Sequence, residues 1–246
     1  MKKKLLSILL TAAMATTVVS GTALIVNADS EGDLSGKTFA IVIRNSGNPY
    51  AEKEADGFKQ VIEAAGGECI IKSPEKATAD AQIPLIQSLI SQEVDAIAIA
   101  SNDVNALTAC LQDAMDEGIK VLSLDSNVVP EARQTFVNQA GVTEIGQALA
   151  DAVYDISGGS GEFAILSASS QSANQNSWID AMKAVMEDDK YKDLDLVEVA
   201  YGDDEPQKST DQTQALLSKY PDLKVLPDYC WYQRSSQSYS GQRIFC

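Results

Sequence analysis

The chain has 246 residues, 35 of them acidic and 19 basic, with four cysteines and no histidine. That length allows one large domain or two modest ones, and 45% hydrophobic content excludes disordered and fibrous classes. A net charge of −16 argues against nucleic acid as a partner, which needs clustered Lys and Arg. The lack of histidine removes the commonest general base and transition-metal ligand, so hydrolytic triads and most zinc sites are not expected.

Residues 1–28 read as a secretory signal peptide. Lys2-Lys3-Lys4 is followed by an uncharged run from Leu5 to Val26, and Val26-Asn27-Ala28 puts small residues before Asp29. The run is long enough to span a bilayer, which makes an uncleaved anchor the competing reading. Its Ala, Thr, Ser and Gly content favours cleavage. Thr22 stands where a lipoprotein box would need cysteine, so no lipid attachment is expected. Removing the three leader lysines leaves 16 basic against 35 acidic residues, an exported chain of net −19.

Beyond Gly36 the pattern alternates strand and helix. Phe39–Ile43 is a continuous apolar run, as for a strand covered on both faces. A helix from Pro49 carries Ala51, Ala55, Phe58, Ile62 and Ala65 on one stripe and stops at Gly66-Gly67. Strand Cys69–Ile71, helix Ala81–Gln92, strand Ala96–Ala100, helix Val104–Glu117 and strand Lys120–Leu124 follow, with Gly118 as a helix stop. A short strand Thr135–Asn138 precedes helix Val142–Ile156. Then come strand Phe163–Ser167, helix Ser172–Asp188, strand Leu194–Ala200, helix Pro206–Tyr220 and a strand beginning at Leu223–Val225. Strands separated by helices of this length imply parallel sheets with right-handed crossovers. The fold class is α/β, doubly wound, and ligands in such sheets bind at the carboxyl ends of strands.

Four strand-end loops are polar: Arg44–Tyr50, Ser101-Asn102-Asp103, Asp125-Ser126-Asn127 and Gln171–Trp178. Asn138 and Gln139 join them where the chain changes domains. Planar amides, carboxylates and guanidinium give multi-point hydrogen bonds, and Tyr or Trp gives a flat apolar face. A sugar ring needs both. Asn102 and Ser172 can equally cap helices, Asp125 can be a turn residue, and Trp178 fits a core stripe with Met182 and Val185. The case rests on convergence of the loops.

Other motifs fall away. Gly158-Gly159-Ser160-Gly161 joins helix to strand, the reverse of a phosphate cradle. Cys69 and Cys110 lack a CxxC partner and read as free thiols. Asp203-Asp204-Glu205 precedes the helix at Pro206 and reads as capping, with calcium as the alternative. Neither cofactor nor metal is expected.

These segments resemble the type I periplasmic sugar-binding proteins of ABC transporters, in the ribose-, rhamnose- and autoinducer-binding branch. The resemblance runs from about Lys37 to Val225 and rests on Arg44–Lys53, Gln82–Ser101, Gly118–Asn127, Phe136–Gln139 and Asn174–Trp178. It implies two lobes that close on a sugar, and a membrane permease that recognises the loaded form. By position, residues 29–138 would form the first lobe, and 139–226 part of the second. Arg44, Asn48 and Tyr50 would bind ligand with Asp125 as principal hydroxyl acceptor, and Ser101 and Asn102 beside them. Asn138 would lie at the hinge, and Asn174 and Gln175 would reach from the second lobe. In autoinducer-binding members the place of Asn174 is usually acidic and that of Arg44 usually lysine, so the ligand implied here is a neutral aldose, a deoxyhexose such as rhamnose or a pentose.

A binder of a furanosyl quorum signal and an exported carbohydrate-active enzyme are the alternatives. The second lacks a visible activated nucleophile or base. A sugar-responsive repressor would need a DNA-binding helix pair where the leader stands. The resemblance also implies a return crossover that is not met after Leu226. Residues 227–246 hold five of the fifteen aromatics and two of the four cysteines, without strand or helix periodicity. Back-translated and read one base later, Pro227–Tyr232 is compatible with Pro-Thr-Thr-Val-Gly-Ile, so an out-of-frame tail is expected, a natural variant tail being the alternative. Without the crossover, the 246-residue product is expected to bind sugar weakly or not at all.

Overall fold

A computed structural model describes residues 32–228 and the main chain of 243–245. The leader read at residues 1–28 and most of the tail lie outside the described residues.

The first sheet has the order β2-β1-β3-β4-β5, all parallel, from β1 Thr38–Val42, β2 Glu68–Lys72, β3 Ala96–Ile99, β4 Lys120–Leu124 and β5 Thr135–Val137. The order reverses around β1, which opens a crevice at the carboxyl ends of β1 and β3. Because every β1 residue from Ala40 to Val42 is buried, both faces must be covered. Helix α1 (Pro49–Ala64) covers one face, packing Ala51 and Ala55 on Ile41, Ile43 and Ala98. Helices α2 (Ala79–Ser91) and α3 (Thr108–Asp116) cover the other, where Ile86, Leu89 and Leu111 meet Val42, Ile97 and Ile99. Each fully buried Ile or Leu contributes about 1.5–3 kcal/mol.

The second sheet has the order β7-β6-β8-β9, from β6 Gly161–Ser167, β7 Leu194–Tyr201, β8 Val225–Pro227 and β9 Arg243–Phe245. Helices α4 (Val142–Ser157) and α5 (Ala173–Val185) share a core with Phe163 and Ile165 on one face. On the other, α6 (Pro206–Lys219) brings Leu216 onto Leu166, Ala200 and Leu226. Two doubly wound parallel α/β layers are thus present, as the alternating pattern implies.

Two local differences stand out. Helix α3 begins at Thr108, four residues later than Val104, after a turn in which Asp103 accepts from the backbone amides of Asn105 and Ala106 at 2.8 Å each. The tail, read as aperiodic, supplies β9, which pairs in parallel with β8 through Val225↔Arg243 to Pro227↔Phe245. Arg-Ile-Phe has strand-favouring composition, and the β8 edge offers unpaired backbone groups.

Candidate functional site

The segments after β1, β4, β5, β6 and β7 meet around one cavity of about 270 Å3. Its lining includes Arg44, Asn48, Tyr50 and Asp125 from the first sheet, and Asn174, Gln175 and Asp204 from the second. Helices α4 and α5 add Ile145, Leu149 and Trp178. A larger cleft of about 1060 Å3 lies along the amino ends of the first-sheet strands, lined by residues such as Phe39, Phe58, Ala96 and Leu122. Size alone does not make it the site, because doubly wound sheets present their ligand loops at the carboxyl ends.

Arg44 follows the buried end of β1 by two residues and is itself 5% exposed. Its guanidinium donates to Ser172 Oγ at 2.9 Å and to Asp204 Oδ2 at 3.2 Å, joining the two lobes, and to the Ser101 carbonyl at 3.4 Å. The charge pair with Asp204 is almost wholly desolvated. In that setting removing either partner strands the other, at about 3–5 kcal/mol.

Asp125 follows β4 directly and sits in the left-handed region, with φ 54°, where Asp is better tolerated than most residues. Its Oδ1 accepts from Gln139 Nε2 at 2.7 Å and from Asn174 Nδ2 at 3.1 Å. Burial pushes its carboxyl above the usual range, and the negative Asp204 adds to this. Arg44 and the two amide donors pull the other way. Asn174 also accepts from the Gln175 amide at 2.8 Å. Gln175 Oε1 accepts from Ser167 Oγ and the Ala168 amide, each at 2.7 Å, which fixes the start of α5 against the end of β6.

Asn48 has two jobs. It lines the cavity and caps α1, its Oδ1 accepting from the amides of Tyr50 at 3.0 Å and Ala51 at 3.3 Å. Ser101 and Asn102 are buried but do not line the cavity: they hold Arg44 in place through the Ser101 carbonyl and the Asn102 amide. Asn138 is exposed and away from the cavity, and its neighbour Gln139 takes the position on Asp125.

Three contributors escape the loop reading. Glu54, one turn into α1, bonds the Tyr50 hydroxyl. Its carboxyl is pushed up to about 7, first by burial and then by the charge of Asp125. The Tyr50 hydroxyl is raised by burial and by Asp125 and Glu54, so it stays a neutral donor. Gln82, wholly buried on α2, donates to the carbonyls of Ile43 at 3.2 Å and Ala100 at 2.8 Å and accepts from the Asn102 amide at 3.0 Å. Asp204 differs from the capping expected of the acidic cluster. Glu205 is the N-cap of α6 without a side-chain bond, Asp203 pairs outward with Lys208, and Asp204 turns into the cavity. Among the described residues no group of three thiol or acidic side chains is placed to hold a metal ion.

The model of the periplasmic binding protein domain matches residues 39–233. The chain belongs to the periplasmic binding protein family. An ABC transporter solute-binding protein from Clostridium phytofermentas, solved with bound L-rhamnose, is 56% identical, with a TM-score of 0.77 over 78% of this chain and 60% of its own. A sugar ABC transporter structure from Actinomyces odontolyticus is 34% identical, with a TM-score of 0.59 over 80% of this chain and 64% of its own. The D-ribose/D-allose-binding protein of Pseudomonas aeruginosa is 26% identical over 197 residues, 76% of this chain. The chain thus spans 57–60% of the length of the curated relative and of the rhamnose-bound one.

Proposed function

We propose that this chain serves capture of a neutral monosaccharide, of deoxyhexose or pentose type, between its two lobes, outside the cytoplasmic membrane and for delivery to an ABC permease. The observation that carries the reading is the lining of the 270 Å3 cavity, where an Arg44–Asp125–Asn174 hydrogen-bonding set shares one space with Ile145, Leu149 and Trp178. The volume lies below the roughly 300–1,000 Å3 of pockets for drug-sized ligands and suits a single ring. Polar groups would take the hydroxyls, and the apolar residues a methyl or C–H face. The relative that holds L-rhamnose supports the deoxyhexose branch of the reading. The basic-then-apolar leader supports export. Asp125 would be the principal acceptor, with Arg44, Asn48, Tyr50, Asn174 and Gln175 beside it, Ser101 and Asn102 as supports and Asn138 at the chain's passage between lobes.

The test is thermal unfolding of residues 29–246, beside a chain continued in the frame one base on after Leu226, with L-rhamnose, D-ribose, D-arabinose and D-fucose at millimolar concentration. A true ligand raises Tm by mass action. A rise with one or two of these, and no turnover of the sugar, is the expected outcome. No rise with any of them in either chain overturns the reading, and product formation would favour an enzyme.

A further inference from the structure

We propose that Asp204 is a second carboxylate acceptor for the ligand's hydroxyls, supplied by the second lobe to the space that Asp125 enters from the first. The inference rests on the sugar-capture reading and deepens it. Asp204 is 4% exposed, and its two oxygens have different surroundings. Oδ2 accepts from Arg44 at 3.2 Å, while Oδ1 is buried without a hydrogen-bond partner although the residue lines the cavity. Buried carboxylate oxygens are almost always satisfied, and those that are not mark a place where a donor is missing.

The backbone points the same way. Asp203 and Asp204 are consecutive non-glycine residues in the left-handed region, with φ of 52° and 55°. Such conformations persist where the surroundings impose them, and they cluster at ligand clamps. Here the loop is pinned to the end of β6, by the Gly202 amide on the Ser167 carbonyl at 2.8 Å and the Asp203 amide on the Ala168 carbonyl at 2.6 Å. The pinning turns Asp203 outward to Lys208 and Asp204 inward.

Charge then restricts the ligand. One guanidinium stands against two carboxylates, so sugar acids and sugar phosphates are repelled, and the vacant acceptor calls for an uncharged or cationic donor. A polyol hydroxyl fits, because an O–H bond to a carboxylate is among the stronger neutral-to-charged hydrogen bonds.

The competing role for Asp204 is as counter-ion to Arg44 alone, and the experiment separates the two. Binding of the mono-deoxy derivatives of the best panel sugar, each lacking one ring hydroxyl, is measured by calorimetry on the parent and on Asp204→Asn and Asp204→Ala. Asn can keep the bond to Arg44 through its oxygen while presenting an amide donor to the cavity. Circular dichroism and Tm verify that each variant folds. One derivative is expected to bind the parent about 10- to 150-fold more weakly than the intact sugar and to lose that penalty in both variants. If every derivative keeps its full penalty in both variants, or Asp204→Asn binds within twofold of the parent, Asp204 makes no ligand contact. An Asp125→Asn variant that loses affinity while Asp204→Asn keeps it overturns the role of Asp204 alone. A parent that responds to no sugar, both as it stands and when continued in the frame one base on after Leu226, overturns the capture reading and this inference together.

Discussion

The side-chain amide of Asn102 donates to the main-chain carbonyl of Arg44 at 2.7 Å, tying the segment after β3 to the one after β1. The guanidinium that reaches the second lobe is thus held by its own backbone from behind. Asn102→Ala leaves that buried carbonyl unpaired and should cost about 1–3 kcal/mol. Asn102→Asp keeps the shape but cannot donate, so it should cost at least as much. Denaturant unfolding of both variants beside the parent checks this, and an unchanged midpoint for Asn102→Asp would contradict it.

Glu54 should make stability depend on pH. Its folded-state carboxyl titrates at about 7, above the ordinary value of 4.5, so the folded chain holds this proton where the unfolded chain has released it. Its contribution is most favourable below about pH 4.5 and declines as pH rises through about 7. Glu54→Gln should therefore gain on the parent between pH 5 and pH 8, by on the order of 1–2 kcal/mol once solvent screening of a partly exposed group is allowed for. Equilibrium unfolding at the two pH values measures the difference. A constant gap between parent and variant would exclude the effect.

Gly146 is a packing glycine. A Cβ there would lie 2.6 Å from Ala181 Cβ and 2.7 Å from the Ala181 and Met182 backbone, so α4 and α5 would have to part. The usual helix gain of about 1 kcal/mol for Gly to Ala is outweighed by overpacking of about 1–3 kcal/mol. Gly146→Ala should lower Tm by a few degrees. It should also weaken sugar binding, since the same helices carry Ile145, Leu149, Asn174 and Trp178 to the cavity.

Asp125→Ala removes the buried acceptor on which Gln139 and Asn174 converge. The expected loss is about 2–4 kcal/mol of binding, or roughly 30- to 1,000-fold in affinity for the best panel sugar. Titration calorimetry reads this directly, and affinity equal to the parent's would remove Asp125 from the site.

Much of this was legible in the residues. Continuous apolar runs such as Phe39–Ile43 and Ala96–Ala100 announced strands covered on both faces, and all of these residues but the half-buried Phe39 are buried as that required. Convergence of strand-end loops brought Arg44, Asn48, Tyr50, Asp125, Asn174 and Gln175 to one cavity. Sequence could not separate Ser101 and Asn102 from these, because a polar residue after a strand looks the same whether it faces the cleft or the backbone behind it. Gln82 and Glu54 were hidden for a different reason: each sits on a helix, where a polar residue normally means a solvated face. The inward turn of Asp204 depends on backbone angles that no spacing reveals, since three acidic residues before a helix give an equally good capping pattern.

The polar groups around the cavity belong to segments that follow strands, whereas the cores are built from strand and helix interiors. A substitution at Tyr50, Gln139 or Asn174 can change what the cavity hydrogen-bonds without displacing any core side chain. Lineages carrying this scaffold can therefore drift in diet faster than in architecture. Arg44, Asn48, Gln175 and Asp204 are among the exceptions, because each also holds backbone or another lobe in place. They should be the last positions in the cavity at which such drift is tolerated.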